Sequence, residues 1–127
     1  MKNKKSNDLK KRVNLINSSK ADLFLSIHLN SYSSTNISGP QVFFQNNAKS
    51  IMLANNIQKS LEFLKTGKKR MSKHGDYYIL NKTSRIGVIV ECGFLSNDSE
   101  RSLLVQESYQ RKIAQLITRG IVNYFIE

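Results

Sequence analysis

Two ionisable side chains stand where apolar runs end. His28 closes "DLFLSIH" and gives way to the small polar residues of "LNSYSS", while Glu91 closes "GVIVE" and gives way to "CGF". A carboxylate after four apolar residues is costly to bury as an anion, because desolvation disfavours the charged form and raises the pKa unless a cation or donors compensate. Such a carboxyl suits general acid and base work near neutral pH; equally, it can be a structural group bonded to backbone donors of the turn behind it. His28 has a matching pair of readings, a metal ligand or a core residue whose ring nitrogens find backbone carbonyls. His74, in "KTGKKRMSKHG", and Cys92 are the other groups with ligating chemistry, and with His28 they would make a reasonable zinc set. Against that set stand the lysines around His74, which oppose a cation, and strand alternation, which turns Cys92 away from Glu91.

The elements that must hold these groups follow from periodicity. Leu9, Val13 and Ile16 fall at helical spacing within residues 7–19, giving an amphipathic helix with a basic outer face. Residues 22–29 form a short, nearly continuous apolar run, the pattern of a strand covered on both faces. "QVFF" predicts a second strand, and its connection from the first is too short for a helical crossover, so it is expected antiparallel or at an edge. Residues 48–64 repeat apolar groups at helical spacing, residues 65–75 read as a basic loop, and "DYYIL" reads as a short strand. "GVIVEC" predicts a buried strand, and two helices, from residue 97 or 98 to 106 and from 108 to 125, finish the chain. Strands alternating with helices indicate an α/β fold with a mostly parallel sheet, in which ligands sit at the carboxyl ends of strands. His28 and Glu91 both occupy that kind of place.

The 127 residues allow one domain, and 20 basic against 9 acidic side chains give a formal charge of +11. That balance attracts polyanions such as nucleic acid, acidic lipid or an anionic wall polymer. A nucleic-acid or partner-binding module without catalysis accounts for the charge directly, yet the sequence carries no helix-turn-helix, zinc-finger or RNP signature. The single cysteine excludes an internal disulfide framework and a multi-cysteine zinc site. The opening "MKNKKSNDLKKRV" has the basic end of a signal peptide without the apolar stretch that should follow, and no run reaches the roughly 18 apolar residues of a membrane span.

The stretches "ADLFLSIHLNSYSS" and "VIVECGFLSNDSE" resemble two signatures of the zinc-dependent N-acetylmuramoyl-L-alanine amidases. These enzymes cut peptidoglycan between the lactyl group of muramic acid and the first residue of the peptide stem. "DLKKRVNLIN", "SGPQVFF", "YYIL" and the closing "YQRKIAQLITRGIVNYF" follow the family in order, most closely its spore-cortex, germination-linked branch. The resemblance implies that His28 ligates zinc, that Glu91 is the catalytic acid and base, and that peptidoglycan is the substrate, in the cell wall or spore cortex. Asn30, Ser31, Ser96 and Asn97 are then candidates to line the cleft, with turn and helix-cap chemistry as the alternative.

One departure stands out. The family pattern begins with a glycine-rich strand turn carrying a first zinc-binding histidine, and a helix carrying a glutamate as the second ligand; before His28 the sequence has no other histidine, and its acids are Asp8 and Asp22. The chain reads as a partial catalytic domain over residues 1–127, its carboxyl-terminal part, with one of three family ligands. Missing strands would expose a sheet edge, through which a complementing amino-terminal fragment or a second copy could pair.

Overall fold

The computed structural model describes residues 2–127. Helix α1 (Lys2–Ser18) leads into strand β1 (Phe24–Asn30), followed by β2 (Gln41–Phe44), α2 (Ala48–Leu61), β3 (Lys73–His74), α3 (Tyr78–Lys82), β4 (Gly87–Phe94), α4 (Asp98–Leu104) and α5 (Glu107–Ile126). The four strands lie in the order β1-β4-β2-β3. β1 runs parallel to β4 and β3 parallel to β2, whereas β2 is antiparallel to β4. The sheet is therefore mixed, and β2 lies inside it with the two-residue β3 beyond it. That short pairing arises within the stretch read as a loop: Gly75 donates its N–H to the Phe44 carbonyl and prolongs the contact.

β4 is the central strand because all eight of its residues can be buried. Its alternation divides the core. Val88, Val90 and Cys92 pack with Val42 against the apolar faces of α2 and α5, while Ile89 faces Val13 of α1 and Ile79 and Leu80 of α3. Gly120 of α5 permits the closest helix approach, since a Cβ there would stand 2.6 Å from the Ile57 Cα of α2. Gly120→Val should push the two helices apart and cost about 3 kcal/mol, seen as an earlier midpoint in urea denaturation; an unchanged midpoint would mean that the crossing relaxes freely.

Two expectations need correction. "DYYIL" is not a strand: Leu80 and Asn81 both donate N–H groups to the Tyr77 carbonyl, and Thr83 Oγ1 donates to the Ile79 carbonyl, closing a short helix. Its adjacent Ile79 and Leu80 both join the same cluster with Val13 and Ile89, whereas a strand would turn them to opposite faces. β1, expected to be covered on both faces, is instead an edge strand in which Ile27 is 60% and Leu29 50% exposed. Among the described residues nothing pairs with its outer edge.

Candidate active site

The parallel register of β1 and β4 places His28 directly beside Glu91. Neighbouring strands are about 4.8 Å apart, and paired residues present their side chains to the same face. Antiparallel pairing then sets Gln41 of β2 against Glu91 from the other side. A row of three side chains, His28, Glu91 and Gln41, thus crosses the sheet near the carboxyl ends of its two parallel strands. Beyond His28 the register shifts by a bulge before Asn30 meets Phe94, and the Leu95 N–H then donates to the Asn30 carbonyl at 2.8 Å.

Glu91 is buried, and its Oε2 has no hydrogen-bond partner among the described residues. Burial raises its pKa above the usual carboxylate value, and nearby His28 offsets part of that rise. Tyr77 stands over the same face, its ring edge-on to Phe43 at 5.4 Å between centroids. Burial raises the phenol's pKa, and the Glu91 charge adds to the rise, so the hydroxyl stays protonated at neutral pH. His28 Nε2 lies 2.6 Å from Ser26 Oγ, two residues earlier on the same face of β1, a contact that orients the ring.

Asn30 and Ser31 lie past the row. Asn30 Oδ1 accepts the Ser31 N–H at 2.8 Å, so that carboxamide closes its own turn. Ser96 Oγ accepts the Tyr32 N–H, and Asn97 caps α4 by accepting the Glu100 N–H while donating to the Thr35 carbonyl. These bonds favour turn and cap chemistry for Ser96 and Asn97. His74 and Cys92 do not join His28. His74 pairs with Phe44, on the opposite face from Glu91, and Cys92 is buried against α2 and α5 with its thiol pKa pushed up to about 11 by burial. The alternative zinc set is therefore not assembled.

Gln41 and Tyr77 were not legible as neighbours of Glu91, because the β2 register and the α3 turn arise from tertiary pairing. Glu100 was also missed, although "NDSE" spells a helix-capping pattern. Its carboxylate turns inward instead: Oε1 accepts the Phe94 N–H at 2.6 Å, and its two oxygens accept the Gly39 N–H at 3.1 and 2.9 Å. The end of β4 is thereby tied to the residues preceding β2. The basic stretch from 65 to 75 is likewise anchored, with Arg70 Nε donating to the Ser38 carbonyl and Gln41 Nε2 to the Met71 carbonyl.

A mixed sheet flanked by helices, with two ionisable groups paired across adjacent parallel strands, defines an α/β domain. The family model described as N-acetylmuramoyl-L-alanine amidase matches residues 1–123, and the chain belongs to that family. It is 40% identical over 129 aligned residues to the germination-specific N-acetylmuramoyl-L-alanine amidase of Bacillus subtilis, covering 98% of this chain and 53% of that protein. With the amidase LytC of the same organism it shares 36% identity over 128 residues, 95% of this chain and 26% of the relative. Among solved structures, the CwlD amidase of Clostridioides difficile, determined in complex with the GerS lipoprotein, superposes with a TM-score of 0.93 at 38% identity. That match covers 98% of this chain and 65% of the CwlD chain. The chain spans about half the length, or less, of these two curated relatives.

The resemblance implies zinc, and the donor set decides whether the described residues suit it. A catalytic zinc takes three protein ligands and a water. Among the described residues no group of three His, Cys, Asp or Glu side chains is placed to hold a metal ion. His28 supplies one imidazole; the described residues do not by themselves complete a zinc centre.

Proposed function

We propose that this chain carries the acid–base half of a peptidoglycan amidase site, acting on the amide between N-acetylmuramic acid and L-alanine. The observation that supports this reading best is the pairing of His28 with Glu91 on one face of the sheet. Glu91, with its raised pKa, takes the proton of the attacking water as the new carbon–oxygen bond forms, then delivers it to the nitrogen as the carbon–nitrogen bond breaks. The buried central strand fixes the carboxyl and keeps water from levelling its proton affinity. His28 is the chain's donor toward the family's zinc, and we assign the remaining ligands to segments that the relatives carry beyond the span matched here. Asn30 and Ser31 border the substrate's path past the bulge that follows His28. The cell-wall names among its relatives support an extracytoplasmic place of action, and the germination-specific relative supports the spore cortex.

The test is a chimera in which this chain replaces its aligned residues in the germination-specific Bacillus subtilis relative. Hydrolysis of muramoyl-L-alanine by the chimera, with zinc content measured in parallel, is the expected result. A folded, zinc-loaded chimera without that activity would refute the assignment.

The open edge of β1 carries a further expectation. The outer edge of β1, flanked by exposed Ile27, Leu29 and Leu15, invites strand addition by an amino-terminal fragment or a second copy. The isolated chain should sediment partly as dimers or larger species at tens of micromolar or so, and Ile27→Lys should shift it to monomer. A wild-type chain that stays monomeric throughout would show that the edge is protected.

A further inference from the structure

Gln41 is the third member of the row, and the acid–base reading gives it no task. It is the antiparallel partner of Glu91, so the two Cα atoms lie about 4.5–5.5 Å apart. Both side chains rise from the same face. A group bound at the Glu91 carboxyl therefore has the Gln41 side chain as its neighbour on the β2 side. That carboxamide is not free to turn: a carbonyl can only accept, so the 2.9 Å contact with the Met71 carbonyl must come from the Gln41 amide nitrogen. Oε1 is thereby directed away from Met71, and among the described residues no hydrogen bond engages it. Gln41 is only partly buried, so this pre-oriented acceptor is open to a ligand.

We propose that Gln41 is a substrate-binding residue whose Oε1 accepts the N–H of the amide that Glu91 acts upon. The inference rests on the amidase reading above and deepens it by specifying a contact to the stem side of the scissile bond. A secondary amide has one N–H, and burying it beside the sheet without an acceptor would weaken binding. Gln41 meets that need with a neutral group. An acid at the same position would place a second negative charge beside Glu91, and a lysine would pull its proton affinity down. The contact also selects amides over esters, because an ester presents an oxygen where the N–H would be, leaving two acceptors face to face.

The test compares binding of muramoyl-L-alanine with its ester analogue, in which oxygen replaces the scissile nitrogen, by calorimetric titration of the full chain. Wild type should bind the amide about tenfold more tightly than the ester, the net worth of one hydrogen bond. Gln41→Leu should bind the two alike, and Gln41→Glu, which keeps an acceptor but loses the donor to Met71, should retain a preference. A wild-type chain that binds both equally, or a Gln41→Leu variant that keeps the full preference, overturns the role of Gln41 and leaves the amidase reading standing. Failure of the wild-type chain to bind either compound also overturns the role of Gln41, whereas the amidase reading stands or falls on hydrolysis by the chimera. The wild-type comparison needs no variant, so a misfolded Gln41→Leu would not spare the proposal.

Discussion

Glu91→Gln should abolish amide hydrolysis, lowering turnover by about 10³-fold or more in the Bacillus chimera, while making the fold more stable at neutral pH. Both effects come from one cause. The carboxyl sits on a strand buried along its whole length, its proton affinity is raised by burial, and one of its oxygens has no partner among the described residues. A carboxyl whose pKa is higher in the folded than in the unfolded chain favours folding when protonated. Its contribution is fully present below the ordinary carboxylate value of about 4.3 and is lost as the pH rises through the raised folded value. Glutamine has no such charge. The melting temperature of Glu91→Gln should therefore exceed that of wild type by a few degrees at pH 7, and the gap should close below about pH 4. Retained turnover would remove Glu91 from the reaction. A gap independent of pH would show that charge is not what burial penalises here.

Glu100→Ala is expected to be the most destabilising of the substitutions considered. The Glu100 side chain is 2% exposed, and its loss would strip acceptors from the Gly39 and Phe94 N–H groups together. Hydrogen bonds to a charged acceptor contribute about 1.5–3 kcal/mol each, so the loss should reach roughly 3–5 kcal/mol. That is a large share of the 5–15 kcal/mol typical of a domain. Glu100→Gln should cost much less, because the Oε1 atom that both N–H groups reach has a counterpart in the carboxamide. Urea denaturation of the two variants tests this, and equal losses would contradict it. The site should also suffer: Phe94 lies three residues past Glu91, and Gly39 two before Gln41. Gly39 itself has φ of 96°, and a Cβ there would collide with the Lys68 carbonyl, so this junction has little room to adjust.

Sequence patterning by itself placed His28 and Glu91 on two separate strands, and the structure pairs those strands so that the two residues stand side by side. Both lie inside their strands and not at the ends, since β1 runs on to Asn30 and β4 to Phe94: local patterning reports which side chains a strand can bury more faithfully than where the strand stops. The long helices were equally legible, since α2 and α5 each bury a stripe at helical spacing against the same sheet face. Only the tertiary structure decided which residues are neighbours. The antiparallel placement of β2, which puts Gln41 against Glu91, depends on hydrogen bonds between segments about fifty residues apart, and no local pattern encodes that register. The helix at Tyr78–Lys82 prevailed over the strand reading because its apolar pair meets α1 and β4 at once, a packing demand set by other elements. β1 proved to be an edge for the same reason: its composition records what a strand can bury, whereas the surrounding elements determine how much of it is covered.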